Sequence, residues 1–534
     1  MRVGIDVGGT NTDAVLVTGR RDEDLRVLAA VKTPTTEDVT AGVVTAVAEL
    51  LRGAPEGFTP AEITAVMIGT THFTNAVVQA RDLTPTAAIR LGLPATAALP
   101  PLTGWPERLR AAVGDRVYLC HGGYEYDGSQ LSTLDTDELR RVADELAGAG
   151  VRSVALSSVF APVNGEMERR AAAVLRAAVP ELRVSCSHEL GRIGLLEREN
   201  ATILNAALIE LADRLADALT GALAEAGIEA PLLLSQNDGT LMDIEYCRRF
   251  PAATFASGPT NSMRGAGFLS GVADCAVIDV GGTTTDIGML VGGFPREAPA
   301  VTDIAGIRTN WRMPDVLSLG IGGGSLVHHF SNDEQTTVGP DSVGFGLTSR
   351  ALVFGGDTLT LTDVAVAAGR ARIGSTTALV RRFDDTRARA VLAGVNERIA
   401  DAVDRMRTSP AALPVILVGG GSVVLAEEFP GLPDVRRPAH SDVANAIGAA
   451  IAKVGGEVDR VVQVADGTRT RVLEEVREEA VARAESAGAR PDTIEIVEID
   501  EVPLAYLPGG ATRVRVRAVG DLDLQRMPVG APRA

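Results

Sequence analysis

The chain has 534 residues, 46% hydrophobic and 22% charged, which is room for two to four folded domains and excludes long disorder or a fibre. Sixty-nine acids against 51 bases leave a net charge of −18, with lysine only at Lys32 and Lys453, so a nucleic-acid or anionic-membrane surface is not expected. No apolar run reaches the ~18 residues of a membrane span, and Met1 and Arg2 lead straight into a strand-like run, so a soluble, cytoplasmic protein is expected.

In chain order, an apolar run at 3–5 enters Asp6-Val7-Gly8-Gly9-Thr10-Asn11-Thr12-Asp13, and a second run at 14–17 follows, which predicts strand, tight glycine turn, strand. A strand at 63–68 leads into Gly69-Thr70-Thr71-His72-Phe73-Thr74-Asn75-Ala76. Helical periodicity at 136–149 and 166–178 brackets a strand-like 151–159, an α/β alternation. A long amphipathic stretch at 195–226 feeds the apolar 231–234 and a polar turn at 236–239. The run 276–278 then enters Asp279-Val280-Gly281-Gly282-Thr283-Thr284-Thr285-Asp286. Glycines at 320–324, a helix at 384–407, a strand at 415–418 and Gly419-Gly420-Gly421-Ser422 come next, before a small-residue helix at 443–454. Past 455 a charged helix (471–487), a strand near 494–499, the turn Pro508-Gly509-Gly510 and a strand at 513–519 form a small α+β appendage with a frayed tail.

The octapeptides at 6–13 and 279–286 differ only at their sixth position. Turn geometry alone asks for Gly or Asn, not for the same leading Asp, threonines and closing Asp twice. Duplication at domain scale follows, with a cleft between the halves. Glycine lets backbone N–H groups approach an anion, and threonine hydroxyls add donors, so phosphate is the expected guest. Asp6 and Asp279 stand where Mg²⁺ held by phosphate oxygens would need a carboxylate. Asp13 and Asp286 either contact metal or substrate or hold the hairpins through local hydrogen bonds; the sequence leaves both open. Gly419 to Ser422 fit close passage beside adenosine or its α-phosphate, or a plain strand-to-helix turn. Gly322, Gly323, Gly324 and Ser325 lie too early for that role and are placed in the catalytic cleft, a turn being the alternative.

Other signatures are missing. Neither lysine sits in GxxxxGK[ST], and no GxSxG or HExxH occurs, so phosphate would be held without a Walker lysine. Cys120, Cys186, Cys247 and Cys275 stand far apart, which predicts buried reduced thiols, and the adjacent His328 and His329 diverge too much to share a metal.

Two such loops, then a third glycine loop and the Ala/Gly-rich stretch from Asn445 to Ala450, resemble the acetate and sugar kinase, heat-shock chaperone and actin superfamily. Within it, residues 1–455 resemble the hydantoinase/oxoprolinase family, A-subunit type. The narrower likeness rests on the 69–76 segment, on Glu199-Asn200-Ala201-Thr202-Ile203-Leu204-Asn205-Ala206, on Ser257-Gly258-Pro259, and on the stretch from Asp315 to Ser325.

The resemblance implies an α/β fold with two ribonuclease-H-like (actin-like ATPase) domains flanking a nucleotide cleft: an N-terminal phosphate-loop domain at 1–195, an ATPase domain at 196–455, and the appendage at 456–534. It implies ATP and Mg²⁺ as cofactors, and ring opening of a cyclic amide such as a hydantoin or 5-oxoproline through phosphorylation of the amide carbonyl. Carried over by position, Gly8, Gly9, Thr10, Asn11, Thr12, Gly281, Gly282, Thr283 and Thr284 would hold phosphates. Gly419, Gly420, Gly421 and Ser422 would meet the adenosine end. Asp6 and Asp279 would serve Mg²⁺ or orient the acceptor, with Asp315 as a third catalytic acid or a structural one. Thr70, Thr71, Thr74, Asn75, Gly323, Gly324 and Ser325 are substrate candidates, helix capping being the alternative for the threonines. No B-subunit half follows, so a separately encoded B-type partner is expected, in an oligomer. Where the family carries a PGPxCYGRGG stretch, this chain has Gly344-Phe345-Gly346-Leu347-Thr348-Ser349 without cysteine, which opens the substrate question. A ketone carboxylase subunit, an ATP-driven reactivating or chaperone-like module and a plain small-molecule kinase are the competing readings.

Overall fold

The computed structural model describes residues 1–19, 24–35, 39–298, 301–330, 336–374, 383–425, 429–463, 467–504 and 511–524. The turn at Pro508, Gly509 and Gly510 and the tail from 525 onward lie outside them. Both octapeptides form hairpins. Arg2–Val7 pairs antiparallel with Asn11–Thr18, Asp6 opposite Asp13, and Cys275–Val280 pairs with Thr285–Val291, Asp279 opposite Asp286. Their turns share one geometry: Gly8 N–H donates to Asn11 O at 3.0 Å, as Gly281 N–H does to Thr284 O at 2.8 Å.

The first hairpin belongs to a nine-stranded sheet that runs, in order, through Arg26–Pro34, Asn11–Thr18, Arg2–Val7, Ala65–Thr70, Leu232–Ser235, Thr240–Asp243, Lys453–Gln463, Ala511–Gly520 and Glu495–Pro503. Arg2–Val7, Ala65–Thr70 and Leu232–Ser235 are parallel, so their carboxyl ends open along one edge, where ligands of α/β sheets gather. The second hairpin lies in a six-stranded sheet with Phe294–Pro295, Val316–Leu319, Val415–Val418 and Val435–Arg436. There Val415–Val418 runs parallel to Cys275–Val280, Val418 opposite Asp279, which delivers Gly419 to the level of the second turn.

A third sheet, Val117–His121, Thr86–Leu93, Ser153–Ser158 and Arg183–Cys186, is parallel throughout and carries the helices Thr136–Gly148 and Glu166–Ala178 on one face. On its other face lies Leu195–Glu225, apolar on nearly every side because the helix Val39–Arg52 covers it from the opposite direction. The charge on this buried helix is matched: Arg90 Nε donates to Glu199 Oε2 at 2.7 Å and Ser157 Oγ adds a second bond at 2.7 Å.

The small-residue helix stops at Ala450, short of the expected 454, and Lys453–Gln463 is a strand instead. Its glycines disguise it: a Cβ on Gly456 would run into the backbone of Ala480 and Ala484, on the helix Arg469–Ser486 that lies across it. The strands after 455 therefore continue the first hairpin's sheet.

Two helices join the lobes. Ser257–Ser270 packs on the second sheet, and Ala444–Ala450 packs on Arg2–Val7 of the first. They cross at backbone contact, since a Cβ on Gly265 would strike the Ala444 carbonyl and one on Gly448 that of Asn261. No helix among the described residues is long and apolar enough to cross a membrane.

Because Arg90 and Glu199 are both nearly inaccessible, Glu199→Ala strands a guanidinium in the core. The expected loss is about 3–5 kcal/mol in urea unfolding, with Glu199→Gln costing less. A loss under about 1 kcal/mol for Glu199→Ala would remove this pair from the fold's supports.

Candidate active site

The two turns face each other. A Cβ built on Gly282 would lie 2.5 Å from Thr10 Oγ1, so the tip of the first loop rests against the glycine pair of the second. Among the described residues, nothing accepts from the backbone N–H groups of Gly9, Thr10, Gly282 and Thr283, which leaves four donors at this junction. The third glycine loop arrives beside them. Gly419 has φ +87, which favours glycine, and a side chain there would strike the Asp279 carboxylate; one on Gly421 would strike the Gly281 carbonyl.

Each turn is braced from behind by different groups. Thr35 Oγ1 donates to Gly8 O at 2.8 Å, Thr35 N–H to Thr10 O at 3.0 Å and Thr71 Oγ1 to Val7 O at 3.3 Å. Thr12 Oγ1 lies 3.3 Å from Thr35 Oγ1. On the other side Gly323 N–H donates to Gly281 O at 3.0 Å, Gly324 N–H to Gly282 O at 2.7 Å and Thr285 Oγ1 to Ile321 O at 2.7 Å.

Acids crowd the junction. Burial, then the neighbouring Asp13 and Asp279 carboxylates, push Asp6 up to about 7. Asp6 Oδ1 is buried without a hydrogen-bond partner, while Oδ2 accepts from Asn445 Nδ2 at 3.4 Å. Burial raises Asp13 to about 6 even though Lys32 Nζ sits 2.5 Å from its Oδ1. Burial also raises Asp279, against the opposing pull of Ser262, Asn445 and Lys32 around it. Asp286 rises to about 6 for the same cause, with Ser318 Oγ donating to it at 2.5 Å.

The other expected site residues divide. Thr70 Oγ1 accepts from His72 N–H at 3.1 Å at the start of the helix His72–Gln79. Thr74 Oγ1 donates to Phe255 O at 2.9 Å and Asn75 lies exposed. These hydroxyls tie the segment to the first loop and to the 257–259 turn, where Ser257 Oγ donates to Thr70 O at 3.1 Å. Gly323 and Gly324 have spent their N–H groups on the second turn, and Ser325 Oγ accepts from Gly322 N–H at 2.8 Å. Their geometry is that of a buttress. Asp315 is not brought to the loops. It precedes Val316, which pairs with Gly288, three residues along the strand from Thr285, and it is ion-paired with Arg296 at 2.6 Å. Ser422 is buried on a single-turn helix behind Gly419.

Sequence reasoning missed Lys32, Thr35 and Asn445 as site residues. Lys32 stands opposite Asp13 on the neighbouring strand, and a Cβ on Gly420 would lie 3.5 Å from its Nζ. Its rarity in a chain that otherwise uses arginine was the signal available.

With that geometry in place, comparison with known proteins is informative. Residues 2–179 match the hydantoinase/oxoprolinase N-terminal region and residues 198–377 match hydantoinase/oxoprolinase. The chain belongs to the hydantoinase/oxoprolinase family. Caprolactamase subunit alpha of Pseudomonas jessenii is 29% identical over 395 residues, 69% of this chain and 54% of that relative. The chain spans about half the length of the curated relatives it matches. The crystal structure of the ATP-dependent caprolactamase from Pseudomonas jessenii has the same fold, with a TM-score of 0.77 at 21% identity over 99% of this chain and 89% of that one. Nucleotide-free acetone carboxylase gives a TM-score of 0.69 at 18% identity, covering 100% of this chain and 89% of its own. This hydantoinase/oxoprolinase family member thus has a two-lobed α/β fold.

The raised carboxyls fix a stability profile for this family member. A carboxyl whose folded value lies above its unfolded one lends stability that is complete below about pH 4 and lost as pH rises through about 6 to 7. Asp6→Asn removes one crowded charge. It is expected to raise stability at pH 8 by about 1–4 kcal/mol and flatten the pH dependence of urea unfolding. A variant less stable than wild type at pH 8 would contradict the crowding.

Proposed function

We propose that this chain binds ATP and Mg²⁺ between its two hairpins and activates the carbonyl of a cyclic amide for ring opening, as the ATP-binding part of an oligomeric assembly with a B-type subunit. The observation that carries the reading is the seating of Thr10 against Gly282, which turns two acid-led loops toward one space. The family and the likeness to a caprolactamase subunit support the choice of acceptor.

In this reading the free N–H groups of Gly9, Thr10, Gly282 and Thr283 cradle phosphate oxygens. The passage of Gly419 to Gly421 against the second turn brings the third loop beside it, where the nucleoside side would lie. Mg²⁺ fits the donor set: Asp6 Oδ1 is buried and unpartnered, and the crowded carboxylates need a cation. Asp6 and Asp279 would hold it, and it would supply charge neutralisation at the phosphates. Lys32 stays paired with Asp13 and adds the fixed positive charge of the cleft. Thr71 keeps the first loop in place from below.

An amide carbonyl is a poor electrophile. Attack of its oxygen on the γ-phosphorus, with ADP leaving, gives an imidate phosphate. Water then adds to the carbon, the C–N bond breaks with the ring nitrogen taking a proton, and a second water cleaves the acyl phosphate that remains into carboxylate and phosphate. The chain's part is to align acceptor oxygen and phosphorus and to neutralise the charge that gathers between them. A ketone acceptor is the second reading, favoured by the likeness of fold to acetone carboxylase.

The test is ADP release by the chain with a B-type partner, across a panel of lactams, hydantoins and, with bicarbonate, ketones. Release stimulated by a cyclic amide is expected, and stimulation by ketone plus bicarbonate alone would select the second reading. Asp6→Asn, Asp279→Asn and Lys32→Ala are each expected to lower turnover at least about 100-fold, whereas Asp315→Asn, outside the loop junction, should stay within about threefold. Full activity in Lys32→Ala would remove it from the site.

A further inference from the structure

A second cluster lies away from the hairpins, at the edge of the four-stranded sheet. Glu168 on the helix Glu166–Ala178, Cys186 at the end of the strand Arg183–Cys186 and His188 on the turn after it each offer one donor atom, and the three atoms lie within 4.8 Å of one another. Glu168 is fully buried and Cys186 almost so. Carboxylate oxygen, thiol sulfur and imidazole nitrogen are the donors that zinc-like ions take together, and seldom meet in a protein core for packing alone.

The ligands are held in place by their surroundings. Ser187 Oγ donates to Glu168 Oε1 at 2.6 Å and His188 N–H to Oε2 at 2.9 Å, while Arg198 Nε in turn donates to Ser187 Oγ at 2.9 Å. His188 Nδ1 stands 2.7 Å from Glu168 Oε2. A Cβ on Gly165 would overlap the imidazole, so the sequence leaves open the space that the ring fills. Of the three, His188 also lines a cavity of about 640 Å³, bounded further by Asn237, Trp311 and Arg517.

We propose that Glu168, Cys186 and His188 form a binding site for a thiophilic divalent cation of the Zn²⁺ type, independent of the nucleotide cleft. Charge balances: the thiol gives its proton to solvent, imidazole binds neutral through Nδ1 with its proton on Nε2, turned away from Arg169 Nη1 that now stands 3.4 Å from it, and thiolate plus carboxylate neutralise the dication. Burial beside Glu168 keeps the Cys186 thiol above its usual range, so the thiolate forms when the cation arrives. Closing the three donors onto tetrahedral distances needs a shift of about 1 Å.

Cobalt(II) is the probe. The chelator-stripped full chain is titrated anaerobically with Co²⁺, and one equivalent should produce visible ligand-field bands together with a near-ultraviolet sulfur-to-cobalt charge-transfer band, bleached by Zn²⁺. Cys186→Ser should abolish that band and His188→Ala should weaken binding at least tenfold, while Asp6→Asn, in the nucleotide cleft, leaves the band unchanged. Absence of the charge-transfer band in the wild-type chain at saturating Co²⁺, or its survival in Cys186→Ser, overturns the site and leaves Glu168 and His188 as a hydrogen-bonded pair.

Discussion

Backbone meets backbone across the centre of this protein, and that contact sets everything above it. The helices Ser257–Ser270 and Ala444–Ala450 cross where Gly265 and Gly448 have no side chains, and each rests on a different sheet. Their crossing distance therefore fixes the separation of the two sheets. At the top of that stack the two hairpin tips meet, Thr10 against Gly282. Larger residues below would splay the lobes; larger residues above would hold the tips apart. The same small-residue logic acts at both levels, and a groove between acid-led turns follows from it.

The groove is electrostatically costly in the absence of a cation. Burial does most of the work at Asp6, Asp13 and Asp279; Asp13 and Asp279 raise Asp6 further, Asp442 and Asp279 raise Asp13 further, and Lys32 opposes the rise at all three. A fold under selection for stability alone would replace one of them with Asn. Crowded, desolvated acids facing unpaired backbone donors mark a place built for a charged guest. Lysine suits the position better than arginine would, because a compact ammonium can pair with Asp13 and still sit beside Gly420 without a planar fork to accommodate.

Both hairpins were legible in the sequence because seven of eight positions carry the same residue in the same order, so pattern and geometry agree. The helix Glu166–Ala178 was legible to the residue, and Leu195–Glu225 nearly so, since long periodic stretches bounded by glycine leave little choice. Thr86–Leu93 and Val117–His121 were not read as strands: the second is only five residues long, and Arg90 interrupts the first, its charge matched by Glu199 from 109 residues away. Lys453–Gln463 was hidden by glycines that serve helix packing. At the site, order along the chain misled for Asp315. Its nearness to the glycines at 320–324 suggested a place in the cleft, but an extended strand carries it to the opposite end, where Arg296 holds it. Lys32 was missed for the converse reason, since only cross-strand register places it beside Asp13.

Two turns of nearly identical sequence have acquired unlike supports. The first is braced by Thr35 and Thr71, each through both its hydroxyl and its N–H, and it carries the cleft's lysine. The second is braced by the N–H groups of Gly323 and Gly324, with the Ser342 hydroxyl donating to Gly282 O at 3.4 Å. Both turns are thus held by N–H and hydroxyl donors together, and what separates them is charge: only the first has an ammonium beside it. In the proposed reading the duplication supplies two like phosphate cradles of unlike charge, and the side edged by Thr70, Thr71 and Lys32 suits the part of a nucleotide where a bond is made.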